Sequence, residues 1–98
     1  MPNKLSSHAM TLITLVNNAS DLCLRHHSYC LAKDVVKSTR KIAHEFGFEI
    51  DSDIFEYILR SIGNKSPQSM ANDFSKLTHL IVSKDRKLNK EQLANDDR

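Results

Sequence analysis

The chain contains only two glycines and two prolines, and their placement limits its folding choices more than any other feature. Pro2 lies near the N-terminus, so Gly47, Gly63 and Pro67 are the strong punctuation of the interior. Glycine readily adopts the left-handed conformation that ends helices. Proline suits the first helical position, where its missing N–H leaves no bond unmade. Between these marks, apolar residues recur at three- and four-residue steps. No segment alternates with the period of two that a half-buried strand requires. The pattern predicts an all-α, four-helix bundle-like domain, with room for a short fifth helix at the C-terminus.

Four helices follow in order. The first is expected from about Ser6 to Arg25, with Leu12, Leu15, Val16, Ala19, Leu22 and Cys23 on its apolar face. The second runs from about Tyr29 to Phe46. At about 100° per residue, Leu31, Val35, Ile42 and Phe46 gather on one side of it, opposite Lys33, Lys37, Arg40, Lys41 and His44. The third spans about Asp53 to Ile62, where Asp53 and Glu56 have the spacing of a capping box and Ile54, Phe55, Ile58, Leu59 and Ile62 face inward. The fourth opens at Ser66-Pro67, a cap followed by proline at the first helical position. Met70, Phe74, Leu77, Ile81 and Leu88 continue one narrow stripe from it. Leu93 is the apolar residue available to a fifth helix. Short connections favour antiparallel neighbours.

With 98 residues, the chain is expected to form one domain, with residues 1–5 and 95–98 frayed. A chain of this size buries about two thirds of its unfolded surface, enough for a modest core without staples. Apolar residues make up 40% and charged residues 27% of the composition, the balance of a globular protein. The apolar run from Ala9 to Val16 is short and broken by Thr11 and Thr14, unlike a targeting segment or a membrane span. No membrane association is expected. The expected location is the cytoplasm, where both cysteines stay reduced. The net charge of +2 argues mildly against a dedicated nucleic-acid binder.

The densest chemistry lies in the stretch CLRHHSYC, which holds Cys23, His26, His27 and Cys30. Zinc takes four Cys or His ligands in a tetrahedron, and Cys-x-x-His and His-x-x-Cys spacings both occur here. Structural zinc sites usually draw their ligands in pairs from two segments, however, and adjacent histidines rarely point the same way. If the helix continued, Cys23 would meet His27 and His26 would meet Cys30 on different faces. Cys23 also fits the apolar stripe of the first helix as a small hydrophobe. A helix corner is therefore preferred to a metal site or a redox pair, unless His8, His44 or His79 joins from elsewhere. No metal and no cofactor is expected.

Two charged surfaces remain. The basic stripe Lys33, Lys37, Arg40, Lys41 and His44 suits a phosphate backbone, an acidic protein or plain solvent. Lys84, Arg86, Lys87 and Lys90 are read as cations favoured by the end of the fourth helix. The acidic run Glu49, Asp51, Asp53 and Glu56 suits a basic protein surface, although carboxylates also favour a helix N-terminus. A helix-turn-helix built on the second and third helices is disfavoured, because its reading helix would lead with Asp51, Ser52 and Asp53 into phosphate.

No nucleophile elbow, glycine-rich phosphate loop or H-E-x-x-H motif is present, so no catalytic residue is expected. The preferred expectation is a non-enzymatic helical protein that binds and regulates or inhibits another protein, in the manner of immunity proteins, antitoxins and antagonists. Glu49, Asp51, Asp53, Glu56 and Tyr57 are its candidate contacts, with Tyr29 and Phe48 as further apolar anchors. The alternatives are a small nucleic-acid-binding regulator using the basic stripe, and a homo-oligomeric module pairing the Met70–Leu88 stripe between subunits.

Overall fold

The computed structural model describes residues 4–96, with side chains described as far as residue 89. Its helices are α1 (Ser7–Leu24), α2 (Tyr29–Glu45), α3 (Ser52–Ser61) and α4 (Pro67–Asp96). The described residues contain no strand, so the all-α, bundle-like architecture holds. Neighbours pack in chain order, α1 on α2, α2 on α3 and α3 on α4, and α4 closes the ring against α1. Among the described residues, no diagonal pair of helices brings Cα atoms within 8 Å. The expected fifth helix does not form separately. α4 continues through Leu93 as one 30-residue element, about 45 Å long at 1.5 Å per residue. It accounts for most of the 50 Å long axis of the fold. Asn95 and Asp96, expected to fray, are helical. The fraying expected at residues 1–3 and 97–98, and the side chains of Lys90 and Leu93, lie outside the described residues.

Local chemistry explains each boundary. Ser6 caps α1, its Oγ accepting from the Ala9 N–H at 3.1 Å. α2 ends in a Schellman motif: the Gly47 N–H donates to His44 C=O at 3.0 Å and the Phe48 N–H to Ala43 C=O at 2.9 Å. Gly47 supplies the left-handed φ of 79° that this closure requires. Asp51 caps α3, its Oδ1 accepting from the Asp53 N–H at 2.9 Å. The capping box expected at Asp53 and Glu56 is therefore displaced: Asp51 takes the cap, and Glu56 turns to Arg40. Ser66 caps α4 by accepting from the Ser69 N–H at 3.2 Å, with Pro67 at the first helical position as expected.

The buried face of α2 differs from the sequence expectation by one step around the helix. Ala32, Val36, Thr39 and Ala43 are buried, whereas Leu31 is 56% exposed and Val35, Ile42 and Phe46 are half-buried. The facing helix α1 contributes Ala9, Leu12, Val16, Ala19 and Cys23. A seam of small side chains lets two helices approach closely, and the larger residues then flank the seam. Thr39 sits in this seam because its Oγ1 donates to the Val35 carbonyl at 2.7 Å, which leaves no hydroxyl unpaired.

On the other side of the core, Phe55, Ile58 and Ile62 meet the α4 stripe of Met70, Phe74, Leu77 and Ile81. That stripe is consumed inside the chain. Pairing it between subunits, as a homo-oligomer using Met70 to Leu88 would, is incompatible with this packing. Leu88 at its end is exposed. Phe48, expected as an exposed anchor, is buried in the core.

Two carboxylates are buried within the α4 stripe, Asp73 and Asp85. Asp85 accepts from the Ser6 N–H at 3.0 Å and from the Ser6 hydroxyl at 2.5 Å. It thereby ties α4 to the N-terminus of α1, where the helix dipole also favours an anion. Asp73 receives the Lys65 ammonium at 3.3 Å.

Candidate functional site

A groove runs between ten-residue α3 and the much longer α4 beside it. Its volume is about 570 Å³, and Ile54, Tyr57, Ile58 and Leu80 form its apolar lining. The antiparallel run of α3 and α4 sets the ends. Tyr57 and Asp73 lie at one end, and Asp53 and Ser83 at the other. The two edges carry opposite formal charges, Asp53 on α3 and Lys76 on α4; His79 lies beside Lys76, and Asp73, also on α4, is paired with Lys65.

A polar cluster closes the first end. The Lys65 ammonium lies 4.1 Å from the Tyr57 ring centroid, donates to the Tyr57 hydroxyl, and pairs with Asp73 at 3.3 Å. The hydrogen bond to Tyr57, together with Asp73, holds the ammonium above its ordinary pKa, against the opposing effect of desolvation. The cluster fixes the orientation of Tyr57 while leaving that residue 46% exposed. A large ring held still at the mouth of an apolar groove loses little entropy when a partner covers it.

The acidic run of the sequence is divided by the fold. Glu49, Asp51, Asp53 and Glu56 are all exposed, but only Asp53 lines the groove with Tyr57. Asp51 is engaged as the α3 cap. Glu56 accepts from Arg40 at 2.7 Å on the α2 side. Glu49 borders a cleft with Gly47, Lys84, Lys87 and Leu88.

The basic stripe of α2 is likewise thinned. Lys37, Lys41 and His44 are exposed in one line along the helix, whereas Lys33 and Arg40 are half-buried. Arg40 is also committed to Glu56. The cations Lys84, Arg86 and Lys87 do not sit at the end of α4, because the helix continues to Asp96. The macrodipole acts within the last turn and so does not explain them.

In the CLRHHSYC corner, His27 adopts a left-handed φ of 54° and turns the chain from α1 into α2. Cys23 is buried and Cys30 exposed, so the two thiols do not converge. Burial pushes the Cys23 thiol above its ordinary pKa. His27 Nδ1 lies 3.3 Å from the Tyr29 hydroxyl. His8 is stacked on Phe46, with ring centroids 3.9 Å apart, at the far end of the α1–α2 pair. His79 lines the α3–α4 groove. Among the described residues, no three groups of metal-ligating type come together. Nor is any helix there long and apolar enough to cross a membrane.

Lys65, Asp73, Lys76 and Leu80 are not among the residues the sequence marks out, and His79 enters there only as a possible metal ligand. The signal available for Asp73 was a carboxylate one residue before Phe74, within an apolar stripe; such a group must find a partner when buried. No protein-family model matches this chain, and neither a curated protein nor a solved structure is significantly similar to it.

Proposed function

We propose that this protein is a non-enzymatic helical binding module that docks another protein on the α3–α4 groove and so regulates or inhibits it. The observation that carries the reading is the groove itself, an apolar floor with a held, half-exposed tyrosine at its mouth. Buried aromatic anchors beside apolar pockets dominate binding energy at protein interfaces, and tyrosine is among the residues most enriched there. Asp53 adds a charge that selects orientation and speeds encounter more than it adds affinity.

Nucleic-acid binding through Lys37, Lys41 and His44 is the competing reading, supported by their shared exposed line on α2. One experiment separates the two. Tagged protein is incubated with lysate of the native host, with and without nuclease, and recovered proteins are identified by mass spectrometry. The docking reading expects one near-stoichiometric protein, indifferent to nuclease. Tyr57→Ala should weaken its binding by at least about tenfold, or about 1.4 kcal/mol. Lys37→Glu with Lys41→Glu should leave it unchanged. Loss of all partners on nuclease treatment, or in the lysine variant alone, moves the function to α2.

A further inference from the structure

Along α4 the groove runs from Asp73 to Ser83, about 15 Å at the helical rise of 1.5 Å per residue. Both walls are helices whose backbone groups are already bonded, with the Asp53 and Ile54 amides taken by Asp51. An extended segment laid here would find no sheet edge to pair with and would lose hydrogen bonds to water without replacement. A helix brings its backbone bonds with it and needs only apolar contact, which half-buried Ile54 and Leu80 offer above the buried Ile58. Asp53 stands on one edge, and Lys76 and His79 on the other. Among the described residues, the exposed large apolar side chains outside the groove, Met10, Leu31 and Leu88, lie singly on separate helices and form no second apolar face to fill it.

Resting on the docking reading above, we infer that the groove receives an amphipathic α-helix of about three turns from another protein. That helix is cationic along the edge meeting α3 and anionic along the edge meeting α4. Its apolar residues recur at i, i+3 or i+4, and i+7, the spacing that places them on one face.

The test places the photo-cross-linking residue p-benzoylphenylalanine at Tyr57 and, separately, at Leu80, with Lys37 as a control position. The full chain is irradiated in nuclease-treated host lysate, the cross-linked peptide is sequenced, and that peptide is then synthesised for binding by fluorescence anisotropy. The expected result is one peptide from another protein, captured at residues 57 and 80 but not 37, with the helical apolar spacing and the two charged edges. Asp53→Lys should weaken the synthetic peptide about tenfold, and Lys76→Glu should also weaken it. The α3 cap uses the Asp53 backbone N–H, and among the described residues its side chain makes no hydrogen bond, so substitution keeps the cap bond. Circular dichroism of each variant checks this. Capture of an extended segment, of a second copy of this chain, or of a peptide indifferent to both charge changes overturns the helical occupant while keeping the groove. Capture at Lys37 alone, or no capture at any position, overturns the docking reading as well.

Discussion

Removing the Asp85 carboxylate should destabilise the fold by about 2 kcal/mol. The side chain is only 2% exposed and receives two hydrogen bonds from Ser6, at 3.0 and 2.5 Å. Hydrogen bonds to a charged group contribute about 1.5–3 kcal/mol each, so the pair sets an upper bound of about 3–6 kcal/mol. Releasing a buried carboxylate returns part of its desolvation cost. Ser6 is also half-buried, so water replaces some of what its N–H loses. The net loss in Asp85→Ala should lower Tm by about 8–16 °C, at about 4–8 °C per kcal/mol for a domain of this size. Ser6→Ala removes the α1 cap and should cost about 1–2 kcal/mol. Because the two residues bond to each other, the double variant should fall short of additivity by about 1–2 kcal/mol. Asp85→Leu should be milder than Asp85→Ala, since it extends the apolar stripe. Thermal and urea unfolding by circular dichroism provide the free energies. A change under about 0.5 kcal/mol in Asp85→Ala, or full additivity in the cycle, would refute the clamp.

Three further outcomes are expected. Gly63→Ala should cost more than Gly47→Ala in urea unfolding: both sites have φ near 80°, but a Cβ at Gly63 meets the Tyr29 ring at 3.3 Å and one at Gly47 meets nothing. The left-handed conformation alone costs about 1–2 kcal/mol, so equal losses would show that Tyr29 yields freely. Thiol titration with Ellman's reagent should label exposed Cys30 at once and buried Cys23 only on unfolding; rapid labelling of both would contradict the seam. The Cys23 thiol and the Lys65 ammonium are both held above their ordinary pKa in the fold. Each contribution is therefore complete below the unfolded value, about 8.5 for Cys and about 10.4 for Lys, and is lost as pH rises through the folded value. Tm should decline on the alkaline side, with Lys65→Met removing the later part of the decline. A flat Tm from about pH 8 to about pH 11 would contradict both assignments.

The number and order of the helices are legible from local residue chemistry alone. Gly47, Pro67 and the Ser66 cap act within one turn of chain, so their effect is legible without knowing what packs where. The apolar spacing of α1, α3 and the first half of α4 was equally local, and Phe55, Ile58, Met70, Phe74, Leu77 and Ile81 are buried as their spacing indicated. Which of two adjacent faces of α2 turns inward depends instead on its packing against α1. Hydropathy favoured Leu31, Val35, Ile42 and Phe46, but close approach of α1 selected the smaller Ala32, Val36, Thr39 and Ala43. Size complementarity belongs to a pair of helices, so one helix's pattern cannot express it. The division of the acidic run has the same origin. Glu49, Asp51, Asp53 and Glu56 are neighbours along the chain, yet a helix turns about 100° at each step. Asp51 thus caps α3 and Glu56 pairs with Arg40, while Asp53 is left at the groove formed where α3 packs against α4.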